Sequence, residues 1–184
     1  MIHPIVLYNN LTLRNSSHPI DLETADGAEV REMIDDMFET MHRAKGIGLS
    51  AIQIGVPVRA FVIEAHLTEG PEEDQFDIRE TFINPTIMES SNETIYLTEG
   101  CLSIPKVAAL VERPKSITVK YFNYKLEEVT EEFSGFKSRI IQHEFDHLNG
   151  VLFIDNLENM WKMMLEDQLS QIADGTNKPA YLHK

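Results

Sequence analysis

The sequence contains little cysteine and no long apolar run, and both absences exclude classes of protein. The single cysteine, Cys101, cannot form an intramolecular disulfide, so a small disulfide-stabilised scaffold is excluded. No segment approaches the ~20 consecutive apolar residues that span a bilayer. Residues 1–20 also lack the pattern of a signal or transit peptide. We therefore expect a cytoplasmic protein that has no membrane partner.

Basic residues are also scarce. The chain has 16 Lys and Arg against 30 Asp and Glu, which gives a formal net charge of −14. A surface of this sign repels phosphate backbones, so sequence-specific nucleic-acid binding is not expected. Hydrophobic residues make up 42% and charged residues 25%, which is typical of a globular domain. The length suits one domain, which we place at residues 1–173, followed by a loose tail at 174–184.

Three segments are predicted to be helices, the first and the third from the periodicity of their apolar residues. The first runs from Ala28 to Lys45, with Asp26 as its N-cap and Gly46 in a left-handed turn at its end. A second helix is predicted from Gly135 to Asn149-Gly150, and a third from Asn156 to Ala173. An apolar stripe on the third helix predicts packing against a sheet. The stripe consists of Trp161, Met164, Leu165, Leu169 and Ile172.

Several segments between the first two helices have the composition of strands. They lie at Val58–Ile63, Phe82-Ile83, Ile95–Leu97, Ser116–Phe122 and Val129–Phe133. The segment from Glu64 to Glu80 has seven acidic residues around Gly70-Pro71, which predicts an exposed loop. This order of elements predicts an α+β fold. We expect antiparallel β-sheets packed around a central helix, the second one, together with an N-terminal and a C-terminal helix.

The second helix carries the sequence His143-Glu144-Phe145-Asp146-His147. Because residues i and i+4 lie on the same helix face, the two imidazoles can bind one metal ion. Glu144 can hold or deliver a proton at a water bound to that ion. A catalytic metal usually takes three protein ligands and leaves one position for water, so the pattern requires a third ligand elsewhere in the chain.

The sequence offers two kinds of third ligand. In metzincin proteases it would be a histidine, but the corresponding residue here is Phe153, which cannot bind a metal. In thermolysin-like peptidases it is a glutamate about twenty residues downstream, where Glu166 and Asp167 stand. The thiolate of Cys101 would suit zinc or ferrous iron. Spacing alone does not decide whether the third metal ligand is one of these carboxylates or the thiolate of Cys101.

Three motifs resemble those of peptide deformylases and occur in the order typical of that family. They are Gly46–Gln53 (GIGLSAIQ), Glu99–Ser103 (EGCLS) and Gln142–Gly150 (QHEFDHLNG). The resemblance extends over roughly residues 4–157. It implies a hydrolase that removes the N-formyl group from the N-terminal methionine of newly made polypeptides and releases formate.

The resemblance also implies a metal site and a mechanism. Cys101, His143 and His147 would bind one divalent metal ion, Fe2+ in the cell, with Zn2+, Ni2+ or Co2+ as alternatives in purified protein. Water on the metal would attack the formyl carbon. Glu144 would act first as general base and then as general acid.

Further residues of the motifs are implied to bind the substrate. The Gln53 side chain and the Leu102 backbone N–H would donate hydrogen bonds to the formyl oxygen. Gly48 and Gly100 would pair with the N-formylmethionyl peptide as an added strand. The pocket for the methionine side chain is expected to contain two apolar residues, Ile47 and Ile140.

The motifs depart from the family pattern at two positions, and two other functions stay open. Ser50 stands where alanine is usual, and Ile52 where proline or threonine is common. One alternative is a thermolysin-like peptidase that uses His143, His147 and Glu166. The other is a catalytically silent metal-binding module. The partners expected under the deformylase hypothesis are nascent formylated peptides, with transient ribosome contact.

Overall fold

A computed structural model of the chain describes residues 1–68 and 75–184. In this part of the chain we find three α-helices, α1 (Gly27–Arg43), α2 (Gly135–His147) and α3 (Asn159–Ala173). None of these helices combines the length and the apolar character that a bilayer crossing requires. Short 3₁₀ turns lie at Leu11–Arg14, Ala51–Ile54 and Phe153–Asn156.

The strands of the described residues form two antiparallel sheets. The strands are β1 (Gly48–Ser50), β2 (Ala60–Leu67), β3 (Phe76–Ser90), β4 (Thr94–Cys101), β5 (Ile104–Pro114), β6 (Ser116–Phe122) and β7 (Glu128–Ser134). The larger sheet has the order β1-β2-β3-β6-β7, and β4 pairs with β5 in the smaller sheet. β1 and β4 are therefore both edge strands.

Helix α2 lies between the two sheets. Its residues Ile140 and Ile141 join a buried cluster with Phe61, Phe82 and Tyr121 of the larger sheet. The helix also contacts the edge strands β1 and β4. The predicted α+β fold with a central helix is confirmed, and this placement brings the histidine-bearing helix next to both sheet edges.

Helix α1 begins as predicted but ends differently. The Asp26 carboxylate accepts a hydrogen bond from the Ala28 N–H, which confirms the N-cap. The left-handed residue after the helix is Lys45, with φ +60°, so the prediction for Gly46 is wrong. Gly46 instead leaves room for the Leu102 side chain, which would have to shift because a Cβ there would lie 2.6 Å from Leu102 Cδ1.

Helix α3 packs less of its apolar stripe than predicted, and it begins at Asn159 rather than Asn156. Ile172 is buried, and Leu165 and Leu169 pack partly against the cluster that covers the smaller sheet. Trp161 and Met164, however, are 47% and 64% exposed. The helix packs on β5, and the first half of the predicted stripe stays largely in solvent.

The acidic segment predicted as a loop is largely a β-hairpin. β2 continues to Leu67, β3 begins at Phe76, and Glu64 pairs with Arg79. The acidic residues obscured the alternation of half-buried and exposed positions along these strands. Part of the predicted loop, residues 69–74, lies outside the described residues.

The C-terminal residues, for which the sequence predicts a loose tail, are bound to the N-terminal segment. The Ile5 N–H donates to the Leu182 carbonyl at 2.9 Å, and the Lys184 N–H donates to the Ile5 carbonyl at 2.9 Å. The Leu7 N–H donates to the Lys184 carbonyl at 3.1 Å. These are the backbone bonds of a short parallel pairing, which composition alone could not indicate.

The Glu80 carboxylate on β3 of the larger sheet is expected to make the stability of the protein depend on pH. Burial raises the pKa of Glu80, and the charge of Glu131 adds to this, against a hydrogen bond from the Thr81 N–H. A pKa above the unfolded value means that ionised Glu80 lowers stability at neutral pH, whereas the protonated form does not. We expect Glu80→Gln to raise Tm at pH 7 by up to about 2 °C and to give no gain near about pH 3.5.

Thermal unfolding at both pH values measures this effect. The matched control is Glu89→Gln, an exposed carboxylate on the same strand, which is expected to leave Tm unchanged at pH 7. An equal gain from Glu80→Gln at both pH values would contradict the explanation by burial of the charge.

Candidate metal centre

Cys101, His143 and His147 meet where α2 faces the end of β4. One ligand atom from each residue lies within 4.8 Å of the others, and Cys101 Sγ is 3.3 Å from His147 Nε2. The two histidines are buried and Cys101 is partly exposed, so the group is accessible from one side. A thiolate with two imidazoles suits a divalent transition-metal ion such as zinc or ferrous iron. The donor set therefore fits the expected metal.

Glu99, two residues before Cys101 on β4, orients one of the histidines. Its Oε2 lies 2.8 Å from His143 Nδ1. A hydrogen bond at Nδ1 leaves Nε2 as the nitrogen that is free to bind a metal. Glu99 belongs to the EGCLS motif, but its contact with His143 was not predicted.

Two buried arginines hold Glu99. Arg113 donates from Nε at 2.6 Å and from a terminal nitrogen at 3.0 Å, and Arg139 donates at 2.8 Å. Burial alone would raise the pKa of Glu99, but the hydrogen bonds from His143 and Arg113 and the charge of Arg113 bring this pKa well below its ordinary value. Glu99 is therefore ionised, and Arg113 is bonded in turn to Asp146 on α2 at 2.7 Å.

The two histidines have opposite pKa shifts. Burial lowers the pKa of His147, and the positive charges of His143 and Arg113 lower it further. Burial also lowers the pKa of His143, but Cys101 and Glu99 outweigh it and raise this pKa well above its ordinary value. Because a ligating imidazole must be neutral, protons compete with a metal ion for the two histidines, and metal affinity falls in acid.

Glu144 lies beside the three ligands, and its carboxylate is held by Ser50. The Ser50 hydroxyl is 2.7 Å from Glu144 Oε2 and 2.9 Å from the Glu144 carbonyl oxygen. Burial raises the pKa of Glu144, against the charge of His143 and the hydrogen bond from Ser50, which suits a group that both accepts and returns a proton. A Cβ at Gly48 would overlap this carboxylate.

Gln53 follows β1 in a 3₁₀ turn and is 1% exposed. Its Oε1 accepts a hydrogen bond from the Ser50 N–H at 2.8 Å. Its Nε2 donates to Ser103 Oγ at 3.1 Å and lies 3.5 Å from Cys101 Sγ. The oxygen of the amide is therefore fixed, and its donor nitrogen points toward Cys101.

A cavity of about 600 Å³ opens beside the ligands. The residues with predicted roles that line it are Ile47, Gly48, Gln53, Gly100, Cys101, Leu102, Ile140, His143 and Glu144. His147, which is 1% exposed, is not among the lining residues. Pro179, Ala180 and Tyr181 also line the cavity, and sequence reasoning missed them because the tail was expected to be loose.

The carboxylate alternative for the third ligand is wrong. Glu166 lies on α3 beside a different groove, which includes Tyr8 and Met163. Within residues 1–68 and 75–184, the group of side chains that could hold a metal ion is Cys101, His143 and His147. The thermolysin-like peptidase is therefore not supported by the site.

Sulfur and imidazole donors that could hold a metal ion, a buried glutamate beside them and an adjoining cavity are the features expected of a metal-dependent hydrolase. The family model for polypeptide deformylase matches residues 2–163. A peptide deformylase from Cytophaga hutchinsonii is 41% identical over 184 residues, covering 100% of this chain and 97% of that protein. The chain belongs to the polypeptide deformylase family.

Solved structures agree with this family. A peptide deformylase from Ehrlichia chaffeensis superposes with a TM-score of 0.83 at 32% identity, covering 96% of this chain and 99% of that one. A peptide deformylase from Acinetobacter baumannii, solved with Met-Ala-Ser bound, gives a TM-score of 0.79 at 31% identity, covering 85% and 99%. The predicted activity, removal of the N-formyl group from formylmethionyl peptides, is confirmed, and the silent-module alternative is wrong.

Proposed function

We propose that Cys101, His143 and His147 hold one divalent metal ion, which is Fe2+ in the cell and which Zn2+, Ni2+ or Co2+ can replace in purified protein. The observation that carries this proposal is the convergence of their ligand atoms within 4.8 Å of one another. When bound, such a metal lowers the pKa of a water molecule and polarises the formyl carbonyl. Metal analysis of protein purified without oxygen tests it, and iron at one ion per chain is the expected result.

Glu144 is the group that moves the proton. Its carboxylate takes a proton from the attacking water as the new C–O bond forms at the formyl carbon. It then gives that proton to the methionine nitrogen as the bond between this nitrogen and the formyl carbon breaks, so that formate and a free amine leave. Burial raises the pKa of Glu144, and this favours return of the proton to the leaving amine.

Gln53 and Leu102 stabilise the negative charge that develops on the formyl oxygen. The Gln53 amide nitrogen lies 3.5 Å from Cys101 Sγ, and Leu102 follows Cys101 directly in the chain. Donors fixed before the reaction cost no reorganisation when the charge appears. The Gln53 side chain and the Leu102 backbone N–H are therefore well suited to this role.

The substrate peptide lies extended between the two sheets. β1 and β4 are edge strands, and their residues Gly48 and Gly100 both line the cavity. Edge strands have unpaired backbone groups, so an extended peptide can bind them as an added strand. Ile47 and Ile140 line the same cavity and form the apolar pocket for the methionine side chain.

The activity itself is tested with formyl-Met-Ala-Ser. Protein reloaded with Fe2+ without oxygen, or with Ni2+, is expected to release formate and Met-Ala-Ser in equal amounts. Intact Met-Ala-Ser at the end of the reaction distinguishes deformylation from peptide-bond hydrolysis. Absence of formate from fully metal-loaded protein would contradict the proposal.

Replacing Gln53 by Ala is expected to lower kcat for formyl-Met-Ala-Ser by about 10²-fold, because one donor to the developing oxyanion is lost. The affinity for the product Met-Ala-Ser is expected to change by less than about twofold, since the product has no formyl oxygen. Steady-state kinetics and product titration measure the two effects. Gln171→Ala on the exposed face of α3 is the control, and an unchanged kcat in Gln53→Ala would refute the role.

The reaction takes place in the cytoplasm on N-formylmethionyl chains that leave the ribosome, with only transient ribosome contact. The net charge of −14 disfavours stable binding to a phosphate-rich surface. Sedimentation with ribosomes at about 0.15 M salt is expected to leave the enzyme in the supernatant. Stoichiometric cosedimentation would contradict this view.

A further inference from the structure

The end of the chain reaches the residue that follows the candidate metal ligand Cys101. Pro179, Ala180 and Tyr181 line the same cavity as the ligands. The Tyr181 hydroxyl donates a hydrogen bond to the carbonyl oxygen of Leu102. The side chains of Tyr181 and Leu102 both pack against the buried cluster of α1 and β1. The tail therefore contacts the site through one specific polar bond and through apolar packing.

The three residues after Tyr181 anchor this part of the tail. Leu182 and Lys184 form backbone hydrogen bonds with Ile5, each 2.9 Å long. The Lys184 ammonium donates to the Ile54 carbonyl at 3.2 Å. Tyr181 is thus held by contacts on its C-terminal side and does not depend on its own hydroxyl for its location.

The N-terminal segment that pairs with the tail also forms backbone hydrogen bonds with residues beside the site. The Val6 N–H donates to the Gln53 carbonyl at 2.7 Å, and the Tyr8 N–H donates to the Ser103 carbonyl at 2.7 Å. The carbonyl of Ser103 is therefore fixed by Tyr8 and that of Leu102 by Tyr181. The peptide units Leu102–Ser103 and Ser103–Ile104 are thus held from outside the β4–β5 hairpin.

We propose that Tyr181 is a positioning residue for deformylation, which holds the backbone of Leu102 so that its N–H points at the formyl oxygen. This inference rests on the proposed role of the Leu102 N–H as an oxyanion donor. A donor on a turn stabilises the developing charge only if its direction is fixed before the reaction. The Tyr181 hydroxyl holds the carbonyl of Leu102. This carbonyl belongs to the peptide unit that follows the N–H, so the bond restrains the N–H by fixing the backbone on the C-terminal side of the Leu102 Cα.

The test is Tyr181→Phe, which removes the hydroxyl and keeps the ring. We expect kcat per bound metal ion for formyl-Met-Ala-Ser to fall about tenfold, less than for loss of a donor itself. KM and the dissociation constant of Met-Ala-Ser are expected to stay within about twofold, since the ring still lines the cavity. The measurements are made well below the Tm of both proteins, with metal content determined for each preparation.

The control is Tyr124→Phe, which removes an exposed hydroxyl that is bonded to Asp35 at 3.0 Å and is expected to leave kcat unchanged. An unchanged kcat per metal ion in Tyr181→Phe overturns the proposal, and so does a loss that appears equally in product affinity, because the hydroxyl would then bind substrate. Gln53→Ala, assayed in parallel, distinguishes a failure of the proposed oxyanion site from a failure of the inference about Tyr181. If Gln53→Ala loses activity and Tyr181→Phe does not, the proposed oxyanion site stands and the inference about Tyr181 fails.

Discussion

Replacing Glu144 by glutamine is expected to lower kcat for formyl-Met-Ala-Ser by about 10³-fold, while the protein folds and binds its metal as before. Glutamine has nearly the same shape as glutamate and can still accept from the Ser50 hydroxyl, but it cannot take a proton from water or give one to the leaving amine. General acid–base catalysis contributes about 10²- to 10⁴-fold to such reactions. Steady-state kinetics, with metal content measured on the same samples, tests this expectation.

Ser50→Ala serves as the matched control for Glu144. It removes a hydroxyl that lies 2.7 Å from Glu144 Oε2 but leaves the carboxylate in place. The expected loss is about tenfold, since one hydrogen bond to a charged group is removed and the carboxylate that moves the proton remains. If Glu144→Gln kept activity within tenfold of the wild type at full metal content, another group would have to move the proton.

The three residues of the candidate metal site could be found in the sequence because they depend on local geometry and on short motifs. The i and i+4 spacing on α2 places His143 and His147 on one face in any helix. Cys101 could be assigned only by its resemblance to a family motif, because nothing in its spacing relates it to α2. The structure then brings its Sγ to 3.3 Å from His147 Nε2.

The supporting residues could not be predicted, because their contacts arise only in the folded chain. Glu99 is bonded to Arg113, Arg139 and His143, which lie on β5 and α2, and no periodicity connects these positions. In the sequence, Ser50 stands out only as a departure from the family pattern. Tyr181 was missed because a polar tail carries no sequence signal for the backbone pairing that holds it.

The fold was predictable where a segment has a clear apolar period. α1 has one, whereas α2 was located by the Asn149-Gly150 signal at its end, and both positions agree with the prediction to within a few residues. β1 was not predicted because its three residues (GLS) are too short to show an alternation. β5 (Ile104–Pro114) was missed because Lys106 and Arg113 lie among its apolar residues, and the exposed half of α3 shows that an apolar stripe does not guarantee a partner surface.

Replacing Glu99 by glutamine is expected to have the largest effect on stability. The carboxylate accepts hydrogen bonds from two buried arginines and also holds His143, whereas glutamine has one acceptor oxygen and directs an NH₂ group at these donors. Removing one partner of a buried ionic cluster costs about 3–5 kcal/mol of the free energy of unfolding, which lowers Tm by at least about 6 °C. Metal affinity is expected to fall about 10- to 100-fold, because His143 loses the bond that orients it.

Glu112→Gln is the matched control. Glu112 lies on β5, is exposed, and accepts hydrogen bonds from the Thr94 and Tyr96 hydroxyls. Water can replace the carboxylate as the acceptor for these hydroxyls. Both variants are compared at pH 7.

The pKa of Glu99 is depressed in the folded state. The stabilising effect of Glu99 is therefore fully present above the ordinary glutamate pKa of ~4.3 and is lost as the pH falls toward the folded-state pKa. Denaturant unfolding and competition with a metal chelator measure the two losses. A Glu99→Gln variant as stable as Glu112→Gln would mean that Arg113 and Arg139 find other partners, and unchanged metal affinity would mean that α2 alone orients His143.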